Sequence, residues 1–229
     1  MLLPFRKSSS NMKKKELNEG VFMLEQAKED YWEDIYQAKK SKELGWFQSN
    51  PIVSLELIET AGLPLHAKLI DVGGGDSLLV DYLLELGYTD LTVLDISKSA
   101  LKRAKRRLGK LAHKVHWIHT DINNFEPERT YDLWHDRACF HFLTKKETVE
   151  KYVSVCTKGM RKGGIFVLGA FSKSGPVKCS GLTICQYEKE EVNTNFGSNF
   201  NIQSCFPSVH VTPSQMEQNY TYCVLKRKE

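Results

Sequence analysis

Three consecutive glycines, Gly73, Gly74 and Gly75, interrupt two apolar runs in the segment LIDVGGGDSLLV, residues 69–80. Glycine weakens helix and strand interiors because it loses the most backbone freedom on folding. Three in a row therefore predict a sharp turn, or a place where another group approaches the backbone closely. The short run KLIDVG before them indicates a strand, and SLLVDYLLELG after them indicates a helix. We predict a strand, a glycine turn and a helix in direct succession.

The same order of strand and helix repeats along the chain. DLTVLDI, VHWIHTD, YDLWHDR and GGIFVLGAF are further strand candidates, and KSALKRAKRRLG and residues 145–161 are helix candidates between them. Strands that alternate with helices form parallel sheets through right-handed crossovers. After residue 172 two more β-like segments follow, one near NIQSCF and one at the C-terminal end. The pattern predicts an α/β fold, Rossmann-like, with a mostly parallel sheet and helices on both faces.

The positive charge of the chain is concentrated at its start. Residues 1–15 contain five Lys and Arg and no acid, which exceeds the whole net charge of +4. We expect a disordered basic tail over residues 1–15 and a nearly neutral folded body, so nucleic acid is not an expected partner. Organelle targeting by this tail is a minor alternative to a cytoplasmic location. No apolar run approaches the roughly 20 residues that span a bilayer, so no membrane partner is expected.

Six cysteines are present, without a CxxC pair. Zinc sites and disulfide frameworks have characteristic spacings that are missing here, and His113, His116 and His119 follow no metal-ligand spacing either. We therefore expect thiols in a reducing compartment and no metal site.

Acidic residues follow the predicted strands at the edge where the glycine turn lies. Asp95 ends the second strand, 20 residues after Gly75, and Asp121 ends the third. Open α/β sheets bind ligands at this edge, outside the carboxyl ends of their strands. A nicotinamide or flavin fingerprint is GxGxxG, but Leu78 occupies its third glycine position. Leu78 and Asp121 together oppose a nicotinamide-dependent oxidoreductase.

The complete series LIDVGGGD, VLDIS, HTDI, YDLWHDRACFHFL and KGGIFVLGAF resembles the class I S-adenosylmethionine-dependent methyltransferases. The resemblance covers residues 65–171, and WEDIY and WFQSNP (32–36 and 46–51) are similar to the small stand-alone members. It implies a seven-stranded sheet whose last strand is antiparallel, and S-adenosyl-L-methionine as cofactor. It also implies one domain over residues 16–229. The parts of this domain are an N-terminal helical lid segment (16–64), a cofactor-binding core (65–171), and a substrate loop with the C-terminal strands (172–229).

The resemblance also implies roles for the residues of the glycine turn and the second strand. Asp71, with the backbone of Gly73, Gly74 and Gly75, would hold the amino-acid end of the cofactor. Asp95 would accept hydrogen bonds from both ribose hydroxyls.

By the same resemblance, Ile96 would lie on one face of the adenine ring. Asp121 would accept from the adenine amino group, and Ile122 would add a backbone contact. Asp136, just after the fourth strand, would lie near the sulfonium and its methyl group.

The segment WHDRACFHF supplies the candidates for a base or an acceptor-binding group. Asp136 and His141 are predicted as catalytic residues, and Arg137 as a substrate contact. The alternative is that His141 and Arg137 only order the loop through hydrogen bonds. Trp46 belongs to an aromatic set, with Trp32, Tyr36 and Phe47, that either packs in the core or closes over the cofactor as a lid.

The predicted function is methyl transfer from S-adenosylmethionine by in-line displacement to an unidentified acceptor, a small molecule or a protein side chain. A non-catalytic scaffold subunit with the same fold is the alternative from a different class. The sequence leaves the acceptor, the need for a base and the oligomeric state open.

Overall fold

The computed structural model describes residues 26–229, which form a seven-stranded sheet with helices on both faces. The strands of this sheet are β1 (Lys68–Val72), β2 (Asp90–Asp95), β3 (Val115–His119), β4 (Tyr131–Arg137), β5 (Met160–Phe171), β8 (Phe200–Val211) and β9 (Glu217–Arg227). The α-helices are α1 (26–38), α2 (Ile52–Thr60), α3 (Leu79–Glu85), α4 (Lys98–Leu108), α5 (Lys146–Gly159) and α6 (Lys189–Phe196). A short hairpin, β6 (Lys178–Cys179) and β7 (Leu182–Thr183), lies outside the main sheet. The predicted basic tail, residues 1–15, lies outside the described residues.

The strand order is β3-β2-β1-β4-β5-β9-β8. The first five strands pair in parallel, whereas β9 is antiparallel to both of its neighbours, β5 and β8. The predicted mostly parallel sheet with an antiparallel last strand is therefore confirmed. Because β1 lies between β2 and β4, the carboxyl ends of these three strands are neighbours at one edge of the sheet.

The hydrophobic core consists of two main clusters, one on each face of the sheet. Ile70 and Val72 of β1 contribute to one cluster with residues of α5 and α6. Leu69 of β1 contributes to the other, with residues of α2, α3 and α4. Successive strand residues point to opposite faces, so adjacent buried apolar residues such as Leu69 and Ile70 are what a strand covered on both sides requires.

The C-terminal strands carry a disulfide between Cys205 of β8 and Cys223 of β9, which are register partners. The expectation that all six cysteines are thiols is wrong for these two. The spacing rules that suggested thiols concern cysteines close in sequence, whereas this pair is 18 residues apart and is brought together by strand pairing. Cys139, Cys156, Cys179 and Cys185 are free.

Within residues 26–229, no helix is both long enough and apolar enough to cross a bilayer.

Candidate functional site

The glycine turn follows β1 and is held to β2. Gly73 and Gly75 have positive φ, +67° and +51°, which glycine adopts without strain. The amides of Gly73 and Gly74 both donate to the carbonyl of Leu94, at 2.8 and 3.2 Å. A Cβ at Gly73 would lie 2.5 Å from Cβ of Cys139, so the turn packs tightly against the segment after β4. A side chain at Gly73 would therefore displace Cys139, which lines the cavity described below.

Asp71 is held in a buried chain of hydrogen bonds. Its Oδ1 lies 2.7 Å from Nδ1 of His135 in β4, and Nε2 of His135 lies 2.9 Å from the hydroxyl of Ser54 in α2. Asp71 and His135 are register partners in neighbouring parallel strands, which explains why their side chains meet on the same face. Oδ2 of Asp71 lies beside Gly74, where a Cβ would be only 2.5 Å from it. This series of hydrogen bonds fixes the Asp71 carboxylate under the glycine turn.

Asp95 ends β2 and is 6% exposed. Its Oδ1 accepts from the amide of Ser97 at 2.7 Å, and the Ser97 hydroxyl caps α4 by accepting from the amide of Ala100. Burial, opposed by the Ser97 bond and assisted by the charges of Asp71 and Asp76, raises the pKa of Asp95 to about 7. A ligand that donates hydrogen bonds to this carboxylate would favour its ionised form.

Asp121 follows β3. Its Oδ1 accepts from the amide of Asn123 at 2.8 Å, and its Oδ2 forms an ion pair with Nζ of Lys28 at 3.2 Å. Lys28 belongs to α1, so the acid that ends β3 is also an attachment point for the N-terminal helix.

A cavity of about 170 Å³ lies between these acids, α1 and the β6–β7 hairpin. Its wall contains residues of the glycine turn, the strand ends and the lid segment, among them Gly73, Asp95, Ile96, Asp121, Ile122, Arg137, Trp46 and Cys139. A second cavity of about 40 Å³ contains Asp71, Gly74 and His135 in its wall. The two cavities share Trp46, Gly73 and Arg137, so they meet at the glycine turn.

Helix α1 covers the larger cavity with one face. Lys28, Trp32 and Tyr36 are four residues apart in sequence and all line it. Trp32 packs edge-to-face against Trp46, with ring centroids 5.9 Å apart. The hydroxyl of Tyr36 lies against the glycine turn, 2.5 Å from where a Cβ of Gly75 would be. Trp32, Tyr36 and Trp46 lie in the cavity wall and also pack together in one hydrophobic cluster, so both the lid and the core interpretations stay predictions.

Helix α1 is also held by two further elements, α4 and the β6–β7 hairpin. Arg103 of α4 donates to the carbonyls of Tyr36 and Lys39, at the C-terminal end of α1. The hydroxyl of Tyr31 donates to the carbonyl of Ser180 in the β6–β7 hairpin. The amide of Ser99 donates to Oε1 of Glu33 at 2.8 Å. These hydrogen bonds fix α1 against α4 and the β6–β7 hairpin.

Asp136 and His141, the residues predicted as catalytic, line neither of these two cavities. Asp136 is fully buried; its Oδ2 accepts from the hydroxyl of Tyr152 at 2.7 Å, and its Oδ1 from the amides of Cys139 and Phe140. Burial raises its pKa to about 6. These bonds shape the turn after β4.

His141 packs against the rings of Phe142 and Phe171. Burial, assisted by the charge of Arg137, lowers its pKa to about 3, so its imidazole is neutral at physiological pH. Its Nδ1 lies 3.4 Å from the amide of Phe171. The catalytic roles of Asp136 and His141 stay predictions.

Several wall residues were not predicted from the sequence. Lys28 belongs to a strongly charged segment, yet its spacing of four and eight residues from Trp32 and Tyr36 is a signal that could have indicated it. Cys179 and Leu182 come from the β6–β7 hairpin, whose two-residue strands give no readable periodicity.

The residues of the site suit S-adenosylmethionine. Carboxylates at the ends of β2 and β3 can accept from a ribose diol and an exocyclic amine, and Leu94, Ile96 and Ile122 provide apolar surface for a flat ring. Asp71 lies beside the glycine turn in the wall of the smaller cavity, and its carboxylate can bind an ammonium group. Within residues 26–229 no group of three or more His, Cys, Asp or Glu could hold a metal ion.

Comparison with known proteins agrees with this fit. The family described as a methyltransferase domain matches residues 70–166. The eEF1A lysine and N-terminal methyltransferase of Mus musculus is 28% identical over 124 residues, which are 52% of this chain but only 17% of that protein. EEF1A lysine methyltransferase 2 of Danio rerio is 22% identical over 196 residues, 78% of this chain and 77% of that protein.

A solved structure of a SAM-dependent methyltransferase from Anabaena variabilis has the same fold. It aligns with a TM-score of 0.66 at 17% identity, over 87% of this chain and 95% of that one. The matched domain, the strand order and a site suited to the cofactor make this chain similar to the S-adenosylmethionine-dependent methyltransferases, and they support S-adenosylmethionine as its cofactor.

Proposed function

We propose that this protein transfers a methyl group from S-adenosylmethionine to an acceptor, a small molecule or a protein side chain, bound at the Arg137 end of the cavity. The observation that carries the proposal is the cavity that joins the glycine turn to Asp95 and Asp121 beside helix α1. When bound, S-adenosylmethionine supplies an electrophilic methyl group on a sulfonium.

The chain itself contributes binding, orientation and exclusion of water. Asp95 and Asp121 accept hydrogen bonds from the nucleoside, and Asp71, oriented by His135, accepts from the amino-acid end. Trp32, on α1, forms part of the cavity wall on the side of the N-terminal helix. Holding two reactants in line in a dry pocket can supply much of the rate of a displacement, so no catalytic base is required when the acceptor arrives unprotonated.

The relatives suggest more than one class of acceptor. Two are named as lysine methyltransferases of eEF1A, and another, 22% identical over 52% of this chain, is named as a ubiquinone biosynthesis O-methyltransferase. Because the chain spans 17% of the first relative and 47% of the last, their substrates serve only as candidates.

Calorimetry with S-adenosylhomocysteine and, separately, NAD tests the cofactor. We expect the first to bind and the second not to bind. Incubation with methyl-labelled S-adenosylmethionine and cell extract, followed by separation of proteins from small molecules, then tests transfer and assigns the acceptor class.

The matched control is Asp95→Ala, which retains the fold but loses the ribose acceptor. Label should appear in one fraction with the wild type and be absent with the variant. Tight binding of S-adenosylhomocysteine without transfer into either fraction would instead favour the scaffold function.

A further inference from the structure

Arg137 places a guanidinium in the wall of both cavities, at the end farthest along the sheet from Asp121. Its Nε donates to the hydroxyl of Tyr222 and its Nη1 to the carbonyl of Trp46, both at 3.0 Å. The guanidinium carbon lies 4.7 Å from the centre of the Tyr220 ring. Strand β9 and the lid segment therefore hold this side chain in one orientation.

Within residues 26–229, Arg137 forms no salt bridge, and its Nη2 is inaccessible to solvent and has no hydrogen-bond partner. The hydroxyl of Tyr220 beside it likewise lacks a partner in that range. Arginine remains charged at any physiological pH, and a buried charge without a counterion is costly. The site therefore has one uncompensated positive charge and unused hydrogen-bond donors.

The titratable neighbours of Arg137 do not neutralise it. Burial raises the pKa of Cys179 to about 11, so its thiol is uncharged. Burial together with the charge of Arg137 lowers the pKa of both His141 and His210, so both are neutral. Burial also raises the pKa of Tyr220, which stays a phenol.

We propose that Arg137 binds an oxyanion, a carboxylate or phosphate, carried by a small-molecule methyl acceptor. This rests on the proposed function and narrows its acceptor class. The planar guanidinium of Arg137 lines both cavities without a counterion among residues 26–229 and can bind such a group through charge-assisted hydrogen bonds. The aromatic rings of Trp32, Trp46 and Phe142 in the same wall suit a flat apolar body next to the oxyanion.

The same charge opposes a protein lysine as acceptor. An ammonium group entering this end of the cavity would meet Arg137, and Asp136, the acid one residue before it in sequence, is buried and already accepts three hydrogen bonds. The lysine specificity named for the eEF1A relatives is therefore not expected here.

The test uses the full-length protein saturated with S-adenosylhomocysteine. Benzoate and phenyl phosphate are the anionic probes, and benzamide is the neutral control of similar shape. We expect at least one anion to bind the wild type, measured by calorimetry and by protection against thermal unfolding, and benzamide to bind at least tenfold more weakly. Arg137→Met should weaken the anion at least tenfold. Arg137→Lys retains the positive charge but not the planar guanidinium, so it should weaken binding of the anion less than Arg137→Met does.

The other source of an oxyanion is the carboxylate of the cofactor. Methylthioadenosine, which lacks the amino-acid end, separates the two. If Arg137→Met and Arg137→Lys weaken S-adenosylhomocysteine at least tenfold but leave methylthioadenosine unchanged, Arg137 binds the cofactor and the proposal is overturned. It is also overturned if both anions fail to bind the wild type, or bind wild type and variants equally. Absence of S-adenosylhomocysteine binding to the wild type would instead overturn the proposed function, and this inference with it.

Discussion

Asp95 is the carboxylate whose raised pKa gives the clearest expectation for how stability and ligand binding depend on pH. Its pKa of about 7 arises mainly from burial, against an ordinary value of 3.8. The folded protein therefore binds more protons than the unfolded chain between pH 4 and 7. The free energy of unfolding contributed by this group is highest below pH 4 and falls as pH rises to about 7.

Ligand binding should have the opposite pH dependence. Ribose hydroxyls would donate to the ionised carboxylate, so binding lowers the pKa of Asp95 and releases a proton. We expect the Kd for S-adenosylhomocysteine to fall about tenfold between pH 6 and pH 8, since one pKa unit corresponds to a factor of ten. Calorimetry across this range measures it.

Asp95→Asn supplies the control for this pH dependence. It should bind S-adenosylhomocysteine at least tenfold more weakly at pH 8, because an amide makes weaker hydrogen bonds than a charged group. Its Kd should not change with pH. If the Kd of the variant changed with pH as much as that of the wild type, a group other than Asp95 would be responsible for the pH dependence.

Gly73 and Gly62 form a matched pair of positions. Both have left-handed backbones, with φ of +67° and +62°, but a Cβ would meet Cys139 at Gly73 and nothing within 4 Å at Gly62. Gly62→Ala should cost about 1 kcal/mol of unfolding free energy from strain alone and leave binding unchanged. Gly73→Ala should lose more stability and at least tenfold in affinity for S-adenosylhomocysteine. Denaturant unfolding and calorimetry measure the two quantities, and equal affinities would show that the turn does not approach the cofactor.

Some of these positions could be predicted from sequence because their location follows from the element they end. An acid that ends a parallel strand must lie at the carboxyl edge, and Asp95 and Asp121 line the cavity there. Asp136 also ends a strand, yet its side chain points into the face covered by α5, where Tyr152 binds it. Which face a strand-end residue occupies depends on the register of the neighbouring strands, and a single sequence does not give it.

Helix α1 owes its position to contacts that local sequence does not reveal. The guanidinium of Arg103 binds carbonyls at the C-terminal end of α1, where a positive charge is favourable. Arg103→Met should therefore accelerate amide hydrogen exchange over residues 26–38 and weaken S-adenosylhomocysteine severalfold, since Tyr36 would lose its support.

Arg106→Met is the control on the same helix, because Arg106 is exposed. It should change neither exchange nor affinity. If residues 26–38 are strongly protected in both variants and in the ligand-free wild type, α1 belongs to the permanent core and does not act as a lid.

The long strands and the helices as far as α5 were predictable because their apolar pattern extends over five or more residues, whereas α6 (Lys189–Phe196) was not predicted. The β6–β7 hairpin has two residues in each strand and was not predicted, although Cys179 and Leu182 line the cavity. Its shape depends on contacts distant in sequence, such as the Tyr31 hydroxyl that binds Ser180.

The Cys205–Cys223 disulfide joins the two C-terminal strands away from the cavity. It closes a loop of 18 residues, so its reduction should lower the free energy of unfolding by about 3 kcal/mol. The affinity for S-adenosylhomocysteine should stay the same. Denaturant unfolding with and without reductant measures the change in stability. The stability of Cys205→Ser should not depend on reductant.

Equal stability in both conditions would contradict a bond between these strands. Disulfides persist mainly in oxidising compartments, whereas the sequence suggested a cytoplasmic protein. Alkylation of the thiols at the moment of cell lysis, followed by counting of modified cysteines, distinguishes the two locations.

The position of β9 in the sheet has a consequence for synthesis on the ribosome. Residues 220–226 of β9 pair with residues 165–171 of β5, although β8 is made before them. Until they emerge, the nascent chain presents the apolar segment IFVLGAF of β5 as an unpaired edge. Such edges recruit other chains, and chaperones protect them in the cell. A product that terminates before Glu217 should therefore aggregate even though its cofactor-binding residues are all present.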